Sequence, residues 1–538
     1  MILFPQPTFS LLANATHDVP TSITLLFTVI LVGLIACLAL EEKIHAKKSI
    51  IAGVFAILCL VLGTIFHLLP FRDVVVGSIV PDDLEHISGE YVENDGDHVM
   101  LQVVDIESPE RSDANAQDEV AHADQDTEHE EGGEHSEQTT HVLHVDGHAI
   151  SMPVYIPAID WSVIAIILGS SLFVDVTSRS GLFTWIAIKV TKASKGDPFK
   201  LLAFYGIMTV VFSAVLNNVT AMIIVGSLTA VSLDKLHRKE KLLGFLLIEG
   251  LLTNIGGLLT LISSVPNIIV GTAANISFLD FFVKSAPFVV VSTAITIAMG
   301  AWLFNISRLK AQADIDEAKS LVDSFDENDG IDSKGFFWFA TFMLVAFVFT
   351  IALTSQLPIV SDLQMGFVAL AFAGVMLLRY KSEVDQFYRA LDWDLLGFFM
   401  ALFVVINVME HARVLDMIGV GLAWIIRTGG DVGGTAAILL ASAGFSSVTD
   451  NIPLAAMLAK ILGSLGTSSE SPLWWSVIFG ANLGGNITPI GSASTLVAVT
   501  IIHKHKLPLS FAGFVKAAIP YALVQITLAT VYVLMFLR

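Results

Sequence analysis

Amide and hydroxyl residues gather at two places where an apolar chain should carry few. Thr253–Ile268 reads TNIGGLLTLISSVPNI, and Gly480–Leu496 reads GANLGGNITPIGSASTL. The first holds Asn254, Thr260, Ser263, Ser264 and Asn267; the second holds Asn482, Thr488, Ser492 and Thr495. Two shorter clusters lie in other apolar runs: Asn217, Asn218 and Thr220 in LNNVTA, and Thr449, Asp450 and Asn451 in SSVTDNIPLA. Amide, hydroxyl and loose carbonyl oxygens are hard ligands that suit a bare alkali cation. The N–H groups at a half-helix start suit an anion. Gly and Pro in these stretches interrupt a helix, and freed backbone groups are costly in hydrocarbon unless protein or a water-filled cavity satisfies them.

The second break repeats the first. Setting Asn254 on Asn482 gives an offset of 228, which also sets Gly256 on Gly484, Gly257 on Gly485, Thr260 on Thr488 and Ser264 on Ser492. Asn218 meets Asn451 at an offset of 233, and Asp160-Trp161 meets Asp392-Trp393 at 232. An odd number of crossings separates the halves. The pattern therefore predicts two inverted repeats, each with a re-entrant hairpin and a broken transmembrane helix, as in transporters.

The elements that position these residues are membrane spans. The chain has 538 residues, 54% of them hydrophobic, with mean hydropathy +0.73. That reads as an all-α polytopic membrane protein and excludes a soluble enzyme. Residues 1–70 hold two spans, Thr21–Leu40 (a retained anchor with no basic stretch before it) and Ser49–Leu69. Residues 71–157 form a small acidic, His-rich and partly disordered extracytoplasmic insert. Residues 158–305 complete repeat 1, with its hairpin tip at 216–220 and its broken helix at 253–268. A cytoplasmic linker, 306–334, leads to repeat 2 at 335–538, with its tip at 446–453 and its break at 480–496. Cys37 and Cys59 both lie in apolar spans, so no disulfide framework is expected.

The formal net charge of −21 belongs almost wholly to the insert. Residues 81–150 hold 21 Asp and Glu against Arg111 alone, which leaves 29 acids and 28 bases elsewhere. Under this topology 22 Lys and Arg fall in cytoplasmic segments and 7 outside, as the positive-inside rule requires. It places the amino terminus, the insert and the carboxyl terminus outside, in what reads as a bacterial inner membrane. Within the insert, His98–Ile106 and His141–Val145 read as short strands, and Glu107–Thr140 as disordered. Its eight histidines among carboxylates suggest a metal or proton buffer, with His129, His135, His141 and His144 as ligands, against the plainer reading of a solvated acidic loop.

Three carboxylates in apolar surroundings, Asp450, Glu249 and Asp175, are candidates for a proton relay, because an intramembrane carboxylate is costly to keep without a use. The plainer alternative for Asp450 is a cap on the helix that follows it. Asp160 and Asp392 read as helix caps or interface anchors. No nucleophile–base pair stands at helical spacing and no GxxxxGK[ST] motif occurs. Neither catalysis, ATP, an organic cofactor nor nucleic acid is expected.

At these motifs the chain resembles the ion transporter superfamily, in the branch of arsenite permeases, the sodium–proton antiporter D group and melanosomal P-protein, with citrate-transporter-like permeases. The resemblance covers about residues 40–538 and leaves out the insert. Members of that branch typically read DNVTT, NIGGTATLIGDPPN and DNIP; this chain reads NNVTA, NIGGLLTLISSVPN and DNIP. Asn217 and Ser264 thus stand where the family carries Asp. The resemblance implies a secondary active ion transporter working by alternating access, with sodium or a proton as coupling ion and a possible homodimer. Sodium-linked cation/proton antiport is the expected activity. The alternatives are a sodium-coupled permease for a di- or tricarboxylate or another oxyanion, such as arsenite, and, more remotely, a membrane-anchored metal sensor.

Overall fold

The computed structural model describes residues 19–69, 153–358, 360–381, 384–449 and 451–537, and the backbone of four strands within the insert. The chain forms two compact units, one of residues 1–19 and 70–157 and one of residues 20–69 and 158–538.

The larger unit is helical. In chain order its helices are α1 (Thr21–Ala39), α2 (Glu41–Ile44), α3 (Lys48–Ile65), α4 (Trp161–Ser178), α5 (Leu182–Ser194), α6 (Pro198–Val215), α7 (Asn218–Lys235), α8 (Leu242–Gly256), α9 (Val265–Ala273) and α10 (Phe278–Leu303). There follow α11 (Gln312–Asp323), α12 (Lys334–Ala352), α13 (Val360–Arg379), α14 (Val384–Ala390), α15 (Trp393–His411), α16 (Val414–Ser446), α17 (Asn451–Ser464), α18 (Pro472–Gly484), α19 (Ala493–Lys504) and α20 (Phe511–Phe536). Among the described residues nine helices are long and apolar enough to cross a membrane. One of them is α6, the first arm of the α6–α7 hairpin. The apolar runs at 242–271 and 472–504 are each split into two helices.

Local chemistry sets these ends in matching ways. Asp160 caps α4 by accepting from Val163 N at 3.1 Å, and Asp392 caps α15 by accepting from Leu395 N at 3.0 Å. Ser277 and Ser510 cap α10 and α20, two helices of 26 residues with a proline inside each, Pro287 and Pro520. All these pairs keep the offset of 232 or 233 residues. The polar linker is not plain coil. It contains α11, and Ala318 of α11 packs so close to Gly196 that a Cβ there would lie 2.7 Å from it. Glu327 beyond α11 pairs with Lys189 and Lys192 of α5, and Lys235 stands 4.7 Å over the Phe325 ring. The two lysines hold the Glu327 carboxyl down to about 2.

The insert contains more strand than its sequence suggests. Four antiparallel strands, β1 (Asp73–Ser78), β2 (Gly89–Asp95), β3 (His98–Val103) and β4 (His141–Ser151), form a sheet in the order β1-β4-β3-β2. The all-α expectation holds for the membrane unit, and the insert carries strands where two were expected and adds two more. β3 and β4 correspond to the two expected strands, but a strand pair alone is marginal. β1 and β2 supply the outer partners, and their Asp, Glu and Gly content masked them in the sequence.

Candidate functional site

The two helix breaks bond to each other reciprocally. Ser492 Oγ donates to Asn254 Oδ1 at 2.8 Å, and Ser264 Oγ donates to Asn482 Oδ1 at 2.8 Å. Each serine is the repeat counterpart of the other, and so is each asparagine. Each hairpin bonds to the broken helix of its own half in a matching way. Ser213 Oγ donates to Thr253 O at 2.6 Å, and Ser446 Oγ to Ala481 O at 2.5 Å. Thr260 Oγ1 donates to Ala214 O at 2.5 Å, and Thr488 Oγ1 to Ser447 O. In the Ser492–Asn254 and Ser264–Asn482 pair, i meets j while the counterpart of j meets the counterpart of i, the mark of a local two-fold relation.

The glycines at the breaks serve close approach. Gly257 and Gly485 keep right-handed backbone, with φ of −58° and −59°. A Cβ at Gly256 would lie 2.7 Å from Val210 O, and one at Gly484 would run into Ala443 O. These positions, again matched by the repeat, let the α6 and α16 backbones press against the broken helices.

Many of the expected ligands are spent on the chain itself. Ser263 Oγ and Asn267 Nδ2 both donate to Gly257 O, at 2.5 and 2.6 Å, and both also reach Thr260 O. Thr495 Oγ1 donates to Ser492 O at 2.7 Å and Pro489 O at 3.1 Å. Gly257 O, Thr260 O and Pro489 O lie between the helix halves, and the polar side chains satisfy them, as burial in an apolar medium demands. Asn217 caps α7 by accepting from Thr220 N at 2.8 Å, and Thr449 Oγ1 returns to Phe445 O at 2.9 Å. Asn451 opens α17 and is 8% exposed. Asp450 lies outside the described residues.

What is left is an amide chain that the sequence reading only half assembled. Asn218 Nδ2 donates to Asn254 Oδ1 at 3.4 Å, and Asn254 Nδ2 to Asn486 Oδ1 at 2.8 Å. Asn486 Nδ2 continues to Gln525 Oε1 at 2.8 Å, and Gln525 Nε2 to Thr296 Oγ1 at 3.0 Å. Ser494 Oγ adds a further donor to Asn254 Oδ1 at 3.1 Å. Opposite it, Asn482 Nδ2 donates to Asn267 Oδ1 at 2.8 Å. Asn486, Ser494, Gln525 and Thr296 were not among the expected site residues. Asn486 lies within the second motif, and Gln525 is a lone amide in an apolar run, which is the signal that could have found it.

The other two carboxylates part company. Glu249 is fully buried in α8; Thr229 Oγ1 donates to its Oε1 at 2.6 Å and its Oε2 has no partner. Asp175 pairs with Arg179 at 3.5 Å, one turn along α4. In the insert, His141 and His144 stand three apart on β4 and so fall on opposite faces of the sheet, while His129 and His135 lie outside the described residues.

Helices interrupted in pairs at matching places, with buried amides and hydroxyls meeting at the interruptions, define a secondary transporter. Residues 139–480 match the citrate transporter family, and the chain belongs to it. An uncharacterized transporter of Mycobacterium tuberculosis is 30% identical over 380 residues, covering 70% of this chain and 86% of its own. The P protein of Homo sapiens is 25% identical over 468 residues, covering 73% of this chain and 55% of its own. Among solved structures, the YdaH transporter of Alcanivorax borkumensis aligns with a TM-score of 0.48 at 14% identity, over 70% of this chain and 86% of that one.

Proposed function

We propose that this transporter carries a small oxyanion, a di- or tricarboxylate of the citrate kind, together with sodium, by alternating access of two inverted repeats. One observation carries the reading. Ser264 and Ser492 occupy the N-cap positions of α9 and α19, yet both helix starts lack a side-chain cap because each hydroxyl is given to an asparagine of the other half. An uncapped helix start offers N–H donors and a positive dipole end to an anion. The four motif stretches contain no Lys or Arg, so helix ends and a co-bound cation would balance the substrate's charge. Amide and carbonyl oxygens of the same stretches supply hard ligands for sodium, and Asp450 at the second tip is the carboxylate nearest to hand in sequence.

Purified protein in proteoliposomes tests this. Labelled citrate, a dicarboxylate and arsenite are offered with an inward sodium gradient, with a pH gradient, and with neither. Sodium-driven accumulation of a carboxylate is expected, and uptake indifferent to sodium sinks the proposal. Sodium–proton exchange with no anion would favour the second reading, antiport. Buried Glu249, with one oxygen left without a partner, speaks for that reading. Under antiport, Asp450→Asn or Glu249→Gln should remove pH-driven exchange. Cysteines at Asn218 and Asn451 should label from opposite faces of the membrane if the repeats are inverted.

A further inference from the structure

An apolar groove of about 360 Å³ runs between α5 and α6, and the polar site at the helix breaks makes no use of it. Ile186, Val190 and Ala193 of α5 form one wall. On the α6 side Met208 and Phe212 are buried, while Ile207 and Val211 stand half-exposed at the edge. α6 has the length and composition of a membrane span, so the medium that meets the groove is lipid. A concavity walled by aliphatic and aromatic side chains suits an acyl chain.

The groove has one charged end. Lys200 stands four residues before Phe204 and eight before Met208, which puts it on the groove face of α6. Lys195 is exposed in the turn that joins the two helices, at the C-cap of α5. Among the described residues neither lysine has an ion-pair partner. Lys189 and Lys192 of α5 are instead spent on Glu327. Asp197, between the two free lysines, is engaged at both oxygens: one accepts from Lys200 N at 2.9 Å and the other from Leu309 N at 3.0 Å. α11 crosses the turn at Gly196, and its acids, Asp314, Asp316 and Glu317, form no ion pair with either lysine. An apolar groove that ends at two uncompensated ammonium groups matches a molecule with a hydrocarbon chain and an anionic head. A partner helix laid in the groove would cover its walls and leave both charges unanswered.

We propose that the α5–α6 groove binds one anionic phospholipid, with an acyl chain along the Phe204–Phe212 face of α6 and the phosphate held by Lys195 and Lys200. The bound chain packs against the first arm of the α6–α7 hairpin, up to the residue before Ser213, whose hydroxyl ties that arm to the first helix break.

Full-length protein in neutral detergent is titrated with phosphatidylglycerol and with phosphatidylcholine of identical acyl chains, read by native mass spectrometry. One phosphatidylglycerol per chain should bind about tenfold more tightly than phosphatidylcholine. Lys195→Gln/Lys200→Gln should abolish that preference, and Lys195→Arg/Lys200→Arg, which keeps the charges, should retain it; the arginine pair separates lost charge from lost fold. Ala193→Phe fills the groove with both lysines intact and should weaken both lipids about tenfold. Lys239→Gln, at a lysine already paired with Asp234 beyond α7, should bind as wild type does. Equal affinity for the two lipids overturns the proposal. So does a preference that survives the glutamine pair, or binding untouched by Ala193→Phe. Inorganic phosphate that stabilises the protein against heat as well as phosphatidylglycerol does would make this a free-anion site, and a dimer that buries the groove would give it to a second copy; either result overturns the lipid assignment.

Discussion

The two helix breaks share one backbone device and differ in what surrounds it. Both press a glycine against a hairpin backbone, both restore lost carbonyls with a threonine, and both give a serine to the other's asparagine. Around the first break, however, Asn254 gathers donors from Asn218, Ser492 and Ser494 and passes its own to Asn486. Around the second, Asn482 bonds Ser264, Asn267 and its own helix at Ile478 O. The repeat partner of Asn486 is Leu258, and that of Glu249 is Val477. The matched contacts build the frame common to both halves. The unmatched ones make the halves chemically unequal.

The comparison breaks most severely at the glycines. Gly484→Ala drives a methyl into Ala443 O, which is backbone and cannot turn aside, and should cost on the order of 3 kcal/mol, with loss of transport. Gly256→Ala meets Val210 O at 2.7 Å and should cost less, about 1–2 kcal/mol. Melting of the two variants in matched detergent checks the order, and equal shifts would remove the claimed difference in closeness.

Asn254→Ala comes next. It strands Asn486 Oδ1 and Asn218 Nδ2 and leaves the Ser492 and Ser494 hydroxyls only each other, and should destabilise by about 2–3 kcal/mol, since buried groups left unpaired carry their full desolvation cost. Asn482→Ala strands fewer groups and should cost about 1–2 kcal/mol. A reversed order in thermal melts would mean that the frame, and not the amide chain, dominates.

Asn486→Leu sharpens the comparison by giving the second break the residue of the first. It cuts the chain between Asn254 and Gln525 and should lower uptake about tenfold at a stability cost of about 1–2 kcal/mol. Wild-type uptake in this variant would show that the asymmetry at 486 is structural only.

The smallest effect lies in the linker, which binds α5 of repeat 1 and has no counterpart contact in repeat 2 among the described residues. Glu327 is half-buried, and its carboxyl is held down to about 2 by Lys189 and Lys192. A depressed carboxyl contributes stability in full above its ordinary value of 4.5, and that contribution fades as pH falls toward 2. Glu327→Gln should therefore lower the melting temperature slightly at neutral pH, less so in high salt, and progressively less as pH falls to 2 and below. An equal shift at every pH would assign the effect to packing.

Much of this molecule follows from local sequence. Span lengths, the breaks at 256–265 and 484–493 and the acidic insert were legible because hydropathy, Gly and Pro act within a few residues of themselves. The caps Asp160 and Asp392 were legible for the same reason. What each polar residue does was not. Ser263, Asn267 and Thr495 read as ion ligands, and only the folded break showed that they repair its own carbonyls. The Asn254–Asn486–Gln525–Thr296 chain spans three helices from both halves, and no spacing in sequence encodes a partner 229 or 232 residues away. The sheet makes the same point in reverse. Its strands alternate visibly, but whether His98 meets Asp146 or a neighbour depends on a register that shifts every residue to the other face when it slips by one. Sequence sets the elements because their energetics are local; tertiary structure sets the site because its bonds are not.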